Sequence, residues 1–168
     1  TPAVRASSPQ IQRAFAARPR ATEAGPPASP PANCFVDFLA EQLADMSRSF
    51  QGDLQMVVLL ATVGQVSLSA AIAAEAGGRS PAELAPERRG MTTNRLADCT
   101  GIPRETARRK LIAMEKMGWL TREDNFWYLT TSGEDTVARQ ALAALDDRAL
   151  SRTARLYTSL SRLIDPAT

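Results

Sequence analysis

The sequence contains no histidine, which excludes several kinds of catalytic and metal site. Ser-His and Cys-His nucleophilic pairs need an imidazole base, and a His-ligated zinc site needs an imidazole nitrogen. Cysteine is scarce as well, since Cys34 and Cys99 are too few for a thiolate zinc site or a disulfide framework. The chain also lacks a glycine-rich phosphate loop. We therefore expect no catalytic residue, no metal site, no cofactor and a reducing compartment.

Net charge is also nearly absent, at +2 for 168 residues, but the charges are unevenly distributed. Residues 88–122 carry nine basic and three acidic groups, a charge of +6, whereas residues 34–87 carry −5 and residues 123–168 carry −2. A basic block between acidic segments is the electrostatic pattern expected for a protein that binds a polyanion. Taken alone, the pattern also fits an ordinary solvated charged face.

Residues 1–32 form a tail rich in Pro, Ala and Arg, with seven of the eleven prolines. Such a composition buries little surface, so we expect a largely disordered segment in which residues 10–18 could form a short helix. The first five residues lack the apolar core of a signal peptide. We therefore expect a cytoplasmic protein.

Residues 33–90 contain two predicted helices, which we assign to dimerisation. Asn33 is a candidate N-cap for an amphipathic helix from Cys34 to about Phe50, and apolar side chains recur along it every three or four residues. Gly52 ends this helix. Asp53 can cap the next one, over residues 54–76.

The second helix has no charged residue between Asp53 and Glu75 and is long enough to span a bilayer. However, Gln55, Thr62 and Gln65 dilute the apolar run, and no basic cluster flanks either end. We therefore expect no membrane partner and instead a helix buried on nearly all sides in an oligomer core. Its polar side chains could line a pocket for a small-molecule effector, or pair across a dimer, which we favour.

Residues 92–117 have the pattern of two helices joined by a tight turn. Thr92 is the expected N-cap of a helix over residues 93–99, and Gly101 supplies the positive φ that ends it. Pro103 presets the first turn of the next helix, over residues 104–117. The predicted inward-facing residues are Leu96, Ala97, Cys99, Ala107, Leu111 and Met114.

Two short strands are expected after Gly118. Residues 119–122 and 126–129 are rich in aromatic and β-branched side chains, and Glu123-Asp124-Asn125 forms the turn between them. At least half of the wing aromatics are expected to be core residues. A helix, turn, helix and β-hairpin in this order make a winged helix.

The motif LADCTGIPRETARR at residues 96–109 resembles that of bacterial winged helix-turn-helix transcription regulators. The pattern continues with the spacing of Leu111, Met114, Glu115, Gly118, Trp119 and Leu120. The segment LTTSG at residues 129–133 resembles the region after the wing in MarR-like proteins. The resemblance covers residues 91–133. It implies a mainly α fold, a winged helix-turn-helix with a small β-hairpin wing and long N- and C-terminal helices, and a homodimer bound to double-stranded DNA.

The resemblance also implies which residues contact DNA. In such regulators the second helix of the motif, here 103–117, enters the major groove, and the N-terminus of the first helix meets phosphate. The acidic wing tip at residues 123–124 is expected to repel phosphate, so the wing should contribute little beyond Arg122 and Asn125. The site set is Thr92, Thr93, Asn94, Arg95, Arg104, Glu105, Thr106, Arg108, Arg109, Lys110 and Arg122.

The final segment, residues 134–168, is expected to form one long helix or two over residues 134–164 and to take part in dimerisation. Together, these features predict a sequence-specific, homodimeric DNA-binding regulator. A winged helix that binds another protein is the alternative, and a ligand-responsive regulator is a third. Cys34 near a helix N-terminus could act as a redox sensor, whereas Cys99 is expected to be buried.

Overall fold

A computed structural model describes residues 32–133 and 135–164, and it is mainly helical with a small antiparallel hairpin. The expected fold class, a winged helix-turn-helix with long flanking helices, is confirmed. The tail at residues 1–31, including the short helix considered there, lies outside the described residues. The helices are α1 (Ala32–Ser49), α2 (Leu54–Ala76), a 3-10 turn (Pro81–Glu83), α3 (Pro86–Arg89), α4 (Thr93–Thr100), α5 (Arg104–Lys116) and α6 (Val137–Ile164).

Helix boundaries follow the capping residues at three of the expected positions. The Asp53 carboxylate accepts a hydrogen bond from the Met56 amide at 3.0 Å, and Thr92 Oγ1 accepts from the Arg95 amide at 3.3 Å. Gly101 ends α4 at φ 70°. The N-cap predicted at Asn33 is wrong, because α1 already includes Ala32 and Asn33 lies within its first turn.

The wing is part of a three-stranded sheet in the order β1-β3-β2. These strands are β1 (Met91–Thr92), β2 (Leu120–Glu123) and β3 (Phe126–Leu129). Asp124 and Asn125 form a two-residue turn with φ of 45° and 69°, values that favour Asn, Asp and Gly. The sequence did not predict β1, since two residues give no alternating pattern. A second hairpin, β4 (Thr131–Ser132) and β5 (Asp135–Thr136), precedes α6.

The core lies between α2, the helix-turn-helix and the sheet. Its largest fully buried side chains are Trp127, Leu59, Leu96, Leu111, Met114, Leu120 and Val63. The apolar face predicted for the second helix of the motif is therefore buried as expected. The core fixes α5 against α4, so that the opposite face of α5 is presented to solvent.

An ion cluster joins α1 to the single long helix α6. Asp45 is 3% exposed, and its carboxylate accepts hydrogen bonds from Arg148 at 2.8 and 3.1 Å and pairs with Arg152 at 2.9 Å. Closer to the first residue of α1 and the last residue of α6, Glu41 pairs with Arg155 at 2.8 Å. Because a lower residue number on α1 pairs with a higher one on α6, the two helices run antiparallel. We call this helix pair the α1–α6 arm.

Helix α2 is buried along one face only. Leu59, Leu60, Val63 and Ala74 are buried, whereas large apolar side chains on the other side are exposed. By length and composition alone this helix could cross a membrane, a weak criterion that soluble core helices also meet. Its buried face packs against the winged helix, and Ser67 Oγ donates to the Arg89 carbonyl of α3 and accepts from the Leu129 amide of β3.

Candidate nucleic-acid interface

The N-terminus of α4 is held against the wing by a buried tryptophan. Trp127 Nε1 on β3 donates a hydrogen bond to Thr93 Oγ1 at 3.0 Å, and the Trp127 side chain is fully buried. This contact holds the first turn of α4, where the backbone amides lie at the positive end of the helix dipole. Of the three residues predicted to meet phosphate here, Thr92, Thr93 and Asn94, it is Thr93 that this contact holds directly.

On α5, Arg104 and Arg108 lie one turn apart and are both exposed. Glu105 also lies in this turn and accepts hydrogen bonds from Arg108 at 2.7, 3.0 and 3.1 Å. That hydrogen bond lowers the pKa of Glu105 and raises the pKa of Arg108. The Arg108 guanidinium is therefore paired with a carboxylate of its own helix.

A cleft of about 340 Å³ lies between the start of α4, the start of α5 and the wing. Its walls bring together six of the predicted residues and two that were not in the predicted set. Of the described residues that line it, three are arginines and none is acidic. A concave, cationic surface at two helix N-termini is suited to a phosphate-bearing ligand. The lining residues are Thr92, Thr93, Asn94, Arg104, Arg108, Arg122, Asn125 and Trp127.

Five predicted site residues do not line the cleft. Arg95, Glu105 and Arg109 are exposed nearby on α4 and α5, and Thr106 is half-buried. Lys110 forms an ion pair with Asp53, the N-cap of α2. The pKa of Asp53 is raised by burial but lowered more by the Lys110 hydrogen bond and by the backbone amide of Met56, so the net direction is downward. Lys110 thus braces α5 against α2.

The wing arginine is held close to the sheet. Arg122 Nη2 donates to Asn125 Oδ1 at 2.6 Å, and its guanidinium lies 5.5 Å from the centroid of the Trp127 ring. Of the four wing aromatics, which were predicted to be at least half core, Trp127 is fully buried and Trp119 packs against the core, whereas Phe126 and Tyr128 are half-buried. This packing directs the Arg122 cation into the cleft.

Sequence reasoning missed Arg89, which neutralises half of the acidic wing tip. Arg89 Nη2 lies 2.7 Å from Glu123 Oε2, and the guanidinium stacks 4.2 Å from the centroid of the Tyr128 ring. The Tyr128 hydroxyl donates to the same Glu123 oxygen at 2.9 Å. Burial, followed by this hydrogen bond, raises the pKa of Tyr128. The only available signal was the position of Arg89 in the basic block.

Neither cysteine belongs to the cleft. Cys99 is exposed on α4, so the prediction that it is buried is wrong. At this turn Leu96 and Ile102 are the side chains that enter the core. Cys34 is half-buried in the first turn of α1.

Comparison with known families identifies the central region. Residues 83–124 match the IclR helix-turn-helix domain, which is 42 of the 168 residues and ends at the wing tip. The match supports a bacterial helix-turn-helix transcription regulator that binds DNA, and does not support the MarR-like assignment. No curated protein and no solved structure matches the chain.

Proposed function

We propose that this protein is a sequence-specific, homodimeric transcription regulator that places α5 in the major groove of double-stranded DNA. The observation that carries the proposal is the cleft, in which Arg104, Arg108 and Arg122 converge from α5 and the wing. The helix-turn-helix match agrees with this use of the surface. None of the described residues that line the cleft is acidic, and Glu105, which pairs with Arg108, lies outside it, so phosphate can approach Arg104 and Arg122 directly.

Each element then has a separate role in binding. The first turn of α4 and Arg122 contact phosphate on either side of the groove, which positions the domain without reading sequence. Arg109 and Arg108 extend from the outer face of α5, where a guanidinium can pair with the two acceptors of guanine. Lys110 supports α5 from behind through Asp53. We propose that the protein acts in the cytoplasm and has no enzymatic activity.

A homodimer would give two such surfaces. Two copies of α5 related by a two-fold axis would read half-sites about 34 Å apart on a pseudo-palindrome. The helices outside residues 91–133 are available for the contact between copies, since α1, α2 and α6 each expose large apolar side chains. The DNA site should therefore be two-fold symmetric.

The test is fluorescence anisotropy with operators selected from a random duplex library. Wild-type binding should be stronger for the selected duplex than for a scrambled one and should weaken steeply with salt. Arg104→Ala and Arg108→Ala should each lower affinity about tenfold, because each removes a phosphate or base contact. Arg139→Ala removes the same charge from exposed α6, so its affinity should match wild type.

No selection of any duplex, with no binding at low salt, would overturn the DNA-binding proposal. Equal losses for Arg139→Ala and the two α5 variants would also contradict it, because charge alone would then decide affinity. Either outcome would favour a winged helix that recognises a protein.

A further inference from the structure

Helix α2 exposes a regular apolar stripe opposite its packed face. Its six residues are separated by four, three, four, three and four positions, and all six are exposed. Leu68 and Ile72, at 62% and 60% exposed, are the most exposed of its large apolar side chains. We call this set the α2 stripe: Leu54, Val58, Ala61, Gln65, Leu68 and Ile72.

The spacing is the heptad repeat of a coiled-coil seam. Alternating steps of three and four residues keep one narrow line of side chains directed at a partner helix along its whole length. From Leu54 to Ile72 the line is about 27 Å long at 1.5 Å per residue. In an ordinary amphipathic surface helix the apolar residues lie only on the face that packs against the protein. In α2 that face is formed by other residues, so the stripe is a second apolar face.

The polar residues around the stripe are arranged for burial. Thr62 Oγ1 donates to the Val58 carbonyl at 2.8 Å, and Ser69 Oγ donates to the Gln65 carbonyl at 2.7 Å. Both hydroxyl donors are satisfied within α2, so covering them leaves no donor unpaired. Gln65 is the one amide in the stripe, and a single polar residue in a seam fixes its register.

We propose that the α2 stripe is the seam through which two copies of this chain pair. The stripe has no charge over the 21 residues between Asp53 and Glu75, so a charged partner surface would lose hydration without gaining an ion pair. A second copy offers an uncharged line of the same length and spacing, which is what a two-fold interface requires. The proposal rests on the homodimer in the proposed function and names its contact.

A bilayer fits the same stripe less well. The opposite face of α2 packs on the winged helix through Leu59 and Val63, and Ser67 bonds to backbone atoms of Arg89 and Leu129. A spanning helix would have to leave these contacts. A helix lying on a membrane surface carries Lys or Arg beside its apolar face, and α2 has none.

The test measures oligomeric state by sedimentation velocity on the full chain. A seam of this length is smaller than a standard interface, so we expect a dimer with a dissociation constant of about 1 µM or weaker. The double variant Leu68→Glu and Ile72→Glu should weaken pairing about 100-fold, because four carboxylates would have to be buried in the seam. Both residues are exposed in the single copy, so helix content by circular dichroism should be unchanged.

Leu150→Glu is the matched control, since Leu150 is 69% exposed on α6 and lies outside the stripe. A dimer retained by this control and lost in the double variant supports the seam. Dissociation of the control with retention of the double variant overturns it and places the contact on α6. A wild-type monomer at about 100 µM also overturns it, as does partition of the wild type into phosphatidylcholine vesicles.

DNA binding measured on the same samples separates this inference from the proposed function. The monomeric double variant keeps the basic cleft, so it should still bind duplex DNA in a salt-sensitive way and lose only the advantage of the symmetric site. Absence of DNA binding in a wild-type dimer would overturn the proposed function and leave the seam in place.

Discussion

Arg89 and Glu123 form an ion pair of 2.7 Å that ties the helix before the winged domain to the tip of the wing. The pair removes one of the two negative charges that the wing would otherwise present to DNA. Asp124 stays exposed at the turn. The acidic wing tip seen in the sequence is therefore less repulsive to phosphate than its composition indicates.

Arg89→Ala should weaken operator binding about fivefold, since it frees the Glu123 carboxylate beside the phosphate path. Adding Glu123→Gln should recover most of that loss, because the neutral amide no longer repels DNA. Arg88→Ala is the control, as it removes an equal charge from an exposed neighbour. If Glu123→Gln gives no recovery in the anisotropy assay, Arg89 does not act through Glu123.

Lys110→Ala and Arg109→Ala should separate a bracing cation from a DNA-binding one. Lys110 pairs with Asp53, so its removal should lower the free energy of unfolding by about 1 kcal/mol and leave operator affinity nearly unchanged. Arg109 is exposed on the outer face of α5. Its removal should lower operator affinity and leave the free energy of unfolding nearly unchanged. Urea unfolding and anisotropy on both variants measure the two effects. A loss of DNA affinity confined to Lys110→Ala would contradict these roles.

The architecture of residues 92–129 was predictable because its signals are local. A capping Thr92, Gly101 at positive φ and apolar spacing on α5 each specify structure within a few residues. The partners of individual charges were not predictable, since they join distant segments. Lys110 finds Asp53 57 positions away and Arg89 finds Glu123 34 positions away, and only the packed core brings them together.

The burial of α2 and the existence of strand β1 also depend on distant segments and could not be predicted from local sequence. The uncharged run of α2 indicated burial on nearly all sides, whereas the single copy covers only the face of Leu59 and Val63. Strand β1 exists because Met91 and Thr92 pair with Trp127 and Phe126 on β3. Pairing partners of this kind are set by tertiary packing, which a two-residue segment does not encode.

Gly90→Ala and Gly64→Ala should have opposite effects on stability. A Cβ at Gly90 would lie 2.7 Å from the Trp127 carbonyl oxygen, so the β1 connection would have to move, at a cost of about 2 kcal/mol. A Cβ at Gly64, within α2, would meet only Leu129 Cδ1 at an ordinary 3.7 Å. Alanine there should stabilise by about 0.5 kcal/mol through helix propensity. Thermal unfolding of both variants tests the close contact between Gly90 and Trp127. If Gly90→Ala leaves the unfolding temperature unchanged, the backbone at Gly90 can move away from Trp127 at little cost.

Asp45 should make the α1–α6 arm sensitive to acid. The hydrogen bond from Arg148 outweighs burial and, together with that from Arg152, lowers the pKa of Asp45 from 3.8 to about 2. A carboxyl with a lowered pKa stabilises the fold above its unfolded pKa, and this stabilisation is lost as pH falls through the folded value. The contribution is about 2 kcal/mol and should disappear between about pH 4 and pH 2.

Asp45→Asn removes this charge and leaves Arg152 buried without its carboxylate, so unfolding at pH 7 should be easier by about 3 kcal/mol. Near pH 2 the wild type is itself becoming neutral at this position, and the difference between the two proteins should shrink. Asp37→Asn changes an exposed carboxylate on the same helix and controls for net charge. Urea unfolding at several pH values measures the difference. If the gap between wild type and Asp45→Asn is as wide at pH 2 as at pH 7, the ion cluster is not what titrates.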